Sequence, residues 1–99
     1  METLYNDFLK DVKDIKNYVI KISNLEAALG VDIWEGFIGD LFNDLFNFKI
    51  TPYLILIKEE EEQDQATETL YNIIFSDPIE YLEDACQEFA KTYLKEYLN

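Results

Sequence analysis

The chain has 99 residues, enough for one domain and one core, and 48% of them are apolar, including seven Phe, seven Tyr and one Trp. It carries 21 Asp and Glu against 8 Lys, with no Arg and no His, for a net charge of −13. Without His there is no ordinary general base near neutral pH and no imidazole metal ligand, and one cysteine makes neither an internal disulfide nor a thiolate zinc cluster.

The charge is uneven. Residues 1–22 balance Glu2, Asp7, Asp11 and Asp14 against Lys10, Lys13, Lys16 and Lys21, so the whole excess lies in residues 23–99. A field of that sign repels nucleic acid and anionic membranes and steers basic partners inward. Solubility asks for a net charge of only about 2–8 in a small domain. The first residues carry no basic-then-apolar pattern, and no apolar run approaches about 20 residues. A protein of the cytoplasm is therefore expected, and the lone Cys86 fits a reducing compartment.

The first segment reads as a helix, with Leu4, Phe8, Val12, Ile15, Val19 and Ile22 at steps of three and four. Its tail, 18–23, is rich in β-branched residues and is also a candidate strand. Asn24 can cap a short turn over Leu25–Leu29, closed by Gly30. Asp32, with Glu35 three residues on, opens a second helix reaching about residue 47. Trp34, Phe37, Ile38, Leu41, Phe42, Leu45 and Phe46 make its apolar arc wide, and Gly36, Asp40, Asn43, Asp44 and Asn47 form a narrow polar side. Its aromatic residues, with Phe48 just beyond, are expected in the core, and some of them could serve a homodimer face.

Pro52 ends that pattern. Tyr53–Ile57 is apolar on both faces, as in a central strand, and needs a neighbour. Over 67–75, Thr69, Tyr71, Ile73 and Phe75 alternate with Glu68, Leu70, Asn72 and Ile74, which favours a hairpin of 52–59 with 67–75 and an acidic tip. The rival reading makes 60–75 a helix with its acids at the N-terminus. The last element is a long helix over about 78–98, capped by Ser76 or Asp77 and carrying Pro78 and Glu80 in its first turn. Ile79, Leu82, Cys86, Phe89, Tyr93 and Tyr97 form its apolar stripe, with Cys86 as a small core residue. The expected fold is α+β, one domain with helices on one face of a short antiparallel sheet and 18–23 as a possible third strand; the alternative is mostly α.

Three acidic groups are the candidate binding features. The first is Glu59, Glu60, Glu61, Glu62 and Asp64; the second is Glu80, Glu83, Asp84 and Glu88; the third is Asp40 and Asp44, with Asp32 and Glu35 at the start of that helix. On a continuous helix, 80, 84 and 88 rise by about 6 Å per step, comparable to the phosphate spacing of a nucleic-acid strand. Such a row can occupy a Lys- and Arg-lined groove. The plainer reading is a solvated face that keeps an apolar domain dispersed, although like charges at i,i+4 cost a few tenths of a kcal/mol each. Tyr81 beside these acids suits a protein-binding surface. A glycosidase pair needs two carboxyls across a cleft, and an EF-hand loop needs alternating Asp and Asn with a central Gly. Neither pattern is present, so catalysis, cofactor and metal are not expected.

In style the chain resembles small phage-encoded nucleic-acid mimics, and in size and charge it is similar to acidic immunity proteins that block nuclease toxins. These resemblances rest on no motif and carry over no residues. They imply an anti-CRISPR or anti-restriction type of inhibitor, in the host cytoplasm if phage-encoded. Such an inhibitor binds a basic nuclease or CRISPR or restriction effector, without binding nucleic acid itself. An immunity protein or antitoxin against a cognate toxin, and a dimeric structural or regulatory module, are the other expectations.

Overall fold

A computed structural model describes residues 2–30, 32 and 37–97. The order is α1 (Glu2–Leu29), α2 (Phe37–Lys49), the short α3 (Thr51–Leu54), α4 (Glu60–Phe75) and α5 (Leu82–Tyr93). Single 3-10 turns at Ile79–Tyr81 and Lys95–Tyr97 flank α5. Among the described residues there is no strand, so the α+β expectation is corrected to an all-helical fold.

Helix α1 forms the spine. Phe8, Val12, Ile15 and Val19 recur at helical spacing and are buried. The candidate strand 18–23 lies inside this helix, and so does the separate turn expected over Leu25–Leu29. Strand-prone residues lose only a few tenths of a kcal/mol each in a helix. Burial of Val19 and stacking of Tyr18 on Phe42, at 6.4 Å, outweigh that. Gly30 closes α1 at φ 69°, a left-handed cap that glycine reaches without strain.

The hairpin expected for 52–59 and 67–75 does not form. Pro52 opens the single turn of α3, which buries Tyr53 and Leu54 and leaves Ile55 66% exposed. The backbone beyond finds partners locally, through Leu56 N–H to Tyr53 O at 3.2 Å and Ile57 N–H to Leu54 O at 3.0 Å. The Gln63 amide also donates to Leu54 O at 3.0 Å and Ile57 O at 3.3 Å. A segment whose carbonyls are already met by a side chain needs no neighbouring strand.

Residues 60–75 form α4. Its buried residues, Ala66, Leu70, Ile73 and Ile74, follow a helical period, and the alternation would have set Leu70 and Ile74 on the opposite side from Ile73. Glu60, Glu61 and Glu62 meet the positive end of the helix dipole. Thr67 and Thr69 donate to the carbonyls of Gln63 (2.8 Å) and Gln65 (2.9 Å), one turn back, so both hydroxyls are satisfied within the helix.

The C-terminal helix is shorter than 78–98. Pro78 caps the 3-10 turn instead of entering an α-helix, and α5 spans only Leu82–Tyr93. Ile79, expected on the buried stripe, is 50% exposed, whereas Leu82, Cys86 and Phe89 are buried as expected.

Helices α4 and α5 pack on α1 and on each other, and α2 packs on α1 and α3. Phe8 stacks on Phe89 with centroids 5.2 Å apart, and Phe46 on Tyr71 at 4.7 Å. Burial of each large apolar side chain contributes roughly 1.5–3 kcal/mol. A polar seam ties α1 to α2 and α3: Tyr53 donates to Asp11 at 2.6 Å, and Lys49 pairs with Asp14 at 3.3 Å and Asp11 at 3.7 Å.

One buried charge sits in this core. Lys16 Nζ donates to the carbonyls of Ile74 at 2.7 Å and Ile73 at 3.4 Å, and to that of Asp77. The carbonyls of Ile73 and Ile74 lie in the last turn of α4, where helix geometry leaves acceptors without partners, and Asp77 follows just past its C-cap. Lysine therefore acts as the C-terminal cap of a helix 58 residues away in sequence. Burial lowers its pKa, and Asp77 partly offsets that.

Candidate functional site

The acidic groups are set by how α4 and α5 begin. Glu59 occupies the N-cap position of α4 with extended backbone, Glu60, Glu61 and Glu62 fill the first turn, and Asp64 follows. Glu80 lies in the 3-10 turn, Glu83 and Asp84 in the first turn of α5, and Glu88 one turn further. All nine are exposed, and none forms an ion pair with a described residue. Tyr81, 57% exposed, stands among the second group beside Ile79.

The expected row of 80, 84 and 88 is interrupted. Asp84 and Glu88 share a face of α5, but Glu80 precedes that helix in a turn of tighter winding.

The first two groups do not merge. A short connection over 76–81 joins α4 to α5, and the two helices pack together. The C-terminal end of α5 in turn meets the N-terminal end of α4. There, Leu56, Lys58, Glu59, Glu62, Thr92, Tyr93, Lys95 and Tyr97 line a hollow of about 380 Å³, and Tyr97 donates to Leu56 O at 3.3 Å. The pair is thus antiparallel, with the acids of α4 at one end and those of α5 at the other. The 16 residues of α4 span about 24 Å, and the two groups start from opposite ends of that span, with Asp64 and Glu88 reaching inward along their helices. Lys58 and Lys95 temper the first group, while the second group holds no lysine within Ser76–Glu88.

The third group lies on α2, where Asp40 and Asp44 are exposed. Asp32 is exposed ahead of the helix, and the expected cap partner Glu35, with Trp34, lies outside the described residues. Phe42 and Phe46 are buried as expected, but Phe48 is 79% exposed, which corrects its assignment to the core. Leu41 is 42% exposed. With Tyr18, Asp44 and Leu45, these two line a shallow apolar depression of about 430 Å³. Phe48 was grouped with the core aromatics by residue type, which does not show which side of a helix a neighbour covers.

Cys86 is fully buried, and burial pushes its thiol from the ordinary 9.0 up to about 12, with Lys13 pulling the other way and Glu83 adding to the rise. Burial, followed by the bond to Asp11, raises the Tyr53 hydroxyl, and burial likewise raises Tyr5. Among the described residues, no three Cys, Asp or Glu side chains are placed to hold a metal ion. No described helix is long and apolar enough to cross a membrane. The chain matches no known family model, no curated protein and no solved structure.

Proposed function

We propose that the protein is a binding protein and not an enzyme: an inhibitor that docks on a basic nucleic-acid-handling protein and blocks its nucleic-acid site. The observation that carries this reading is the placement of nine exposed carboxylates, none in an ion pair with a described residue, at the starts and early turns of α4 and α5, on a body of charge −13. Self-repulsion makes such a surface costly to a fold, and carboxylates can replace phosphates as bidentate acceptors for Arg and Lys. With the two groups starting from opposite ends of an antiparallel helix pair, the reading is contact at two anionic poles, not a continuous imitation of one strand. Tyr81 adds a ring on which a guanidinium can stack at the α5 pole.

The test is capture from a bacterial lysate on immobilised protein, eluted by rising salt and separately by competing duplex DNA. Identification of the eluate by mass spectrometry should give a basic nuclease or effector, released by both treatments. A variant with Glu80→Gln, Glu83→Gln, Asp84→Asn and Glu88→Gln should lose capture and flatten its salt dependence. Capture indifferent to salt, to DNA and to neutralisation would sink the proposal.

A further inference from the structure

We propose that the outer edge of α2 is a docking groove for a basic amphipathic helix of a partner protein. The proposal adds an apolar anchor to the charge-guided binding above and rests on that reading only for the basic character of the partner.

The groove follows from the register of α2. Leu41, Asp44, Leu45 and Phe48 stand at i, i+3, i+4 and i+7, one continuous stripe, while Phe42 and Phe46 turn the neighbouring arc into the core. Tyr18 of α1 contributes to the wall. The stripe leaves Phe48 79% and Leu41 42% exposed around a depression of about 430 Å³ whose surface is almost wholly apolar. That spacing is the footprint of helix-in-groove recognition, in which a partner's own i, i+3, i+4 and i+7 residues fill the depression. An exposed Phe beside two Leu residues is the kind of aromatic anchor that dominates such contacts.

Charge selects the occupant. Asp44 lies within the stripe and Asp40 one turn before it, both exposed and neither paired with a described lysine. A second copy of this chain would meet the face through a two-fold contact, setting Asp40 and Asp44 against their own counterparts between two bodies of charge −13. A helix with Lys or Arg flanking an apolar stripe meets the same two carboxylates with opposite charge.

The probe is a Leu/Lys amphipathic peptide of about 16 residues, compared with its Leu/Glu counterpart and with a Lys peptide in which every Leu is Ser. Affinity is read by fluorescence anisotropy near physiological salt, and oligomeric state by sedimentation equilibrium. Two variants separate the two ideas: Leu41→Ser with Phe48→Ser, and Glu80→Gln with Asp84→Asn and Glu88→Gln. All five side chains are exposed, so both variants should melt close to the parent. The expected result is binding of the Leu/Lys peptide alone, weakened about tenfold or more by the stripe variant and much less by the charge variant. Absence of binding to the parent overturns the proposal. Equal affinity of the parent and the stripe variant also overturns it, and if the charge variant alone loses binding, the carboxylate reading stands while the groove fails. A parent dimer dissociated by the stripe variant would assign the face to a second copy and refute a partner helix.

Discussion

Replacing Lys16 with Met tests whether a buried lysine is the clasp of this fold. The stem keeps its length and apolar contacts, but the carbonyls of Ile73, Ile74 and Asp77 lose their shared donor. A hydrogen bond to a charged group contributes about 1.5–3 kcal/mol, and a buried acceptor left unmet costs about 1–3 kcal/mol. Against this, the variant no longer desolvates an ammonium. The net expectation is a loss of roughly 2–3 kcal/mol, a large share of the roughly 5–15 kcal/mol that holds a small domain folded. At about 4–8 °C per kcal/mol for this size, thermal melting followed by circular dichroism should fall by roughly 10–20 °C. Hydrogen exchange should quicken first in the last turn of α4. The pH dependence supplies a second check. Burial lowers the folded pKa of Lys16 below its ordinary 10.5, so the unfolded chain binds the proton more tightly. Stability from this group therefore rises with pH across the window between the lowered value and 10.5, and the deficit of the Met variant should widen there. A variant as stable as the parent, or more stable, would show that desolvation outweighs the three bonds and refute the clasp.

Cys86 should make the fold sensitive to base. Its folded pKa is raised from 9.0 to about 12, so its contribution is complete below 9 and is lost as pH climbs towards 12, at about 1.4 kcal/mol per pH unit. Urea unfolding at a series of alkaline pH values should show that slope, flattened in Cys86→Ala, while Tyr53 and Tyr5, also raised, leave a residual loss above about pH 10. Tyr53→Phe removes the 2.6 Å bond to Asp11 and should cost about 1–2 kcal/mol by chemical denaturation, while leaving Lys49 paired with Asp14. Added salt should raise the melting temperature, because screening shortens the reach of a −13 self-repulsion to about 3 Å at 1 M. A melting point that falls or stays level between low and high salt would show that the carboxylates do not strain the fold.

How far the sequence could be read differs from element to element. The first part of helix α1 was plain because Phe8, Val12 and Ile15 hold a three-to-four step that no strand can use, whereas its tail from Tyr18 also fitted a strand. The buried part of α5 was equally plain from Leu82, Cys86 and Phe89, and the nine acidic residues of the first two groups were expected on the surface, where the structure has them. The region 52–75 was misjudged for two local reasons. Tyr53–Ile57 has the composition of a central strand, and 67–75 alternates well enough over nine residues to imitate one. Both periods fit so short a stretch, and its contacts decided between them: Leu70 and Ile74 pack inward, and Gln63 meets the loop carbonyls.

Composition and local spacing thus determined by themselves an acidic chain with a helical start and no histidine chemistry, since these depend on residue type and on neighbours within a turn or two. Only the tertiary structure decided that α4 and α5 lie antiparallel, which sends two acidic groups to opposite ends. It likewise placed Lys16 on carbonyls 57–61 residues away and turned Phe48 outward from a helix whose Phe46, two residues before, is core. Each of these is a matter of which surfaces meet across long stretches of chain. No period in the sequence encodes that, because burial is settled by the partner that arrives and not by the residue that waits for it.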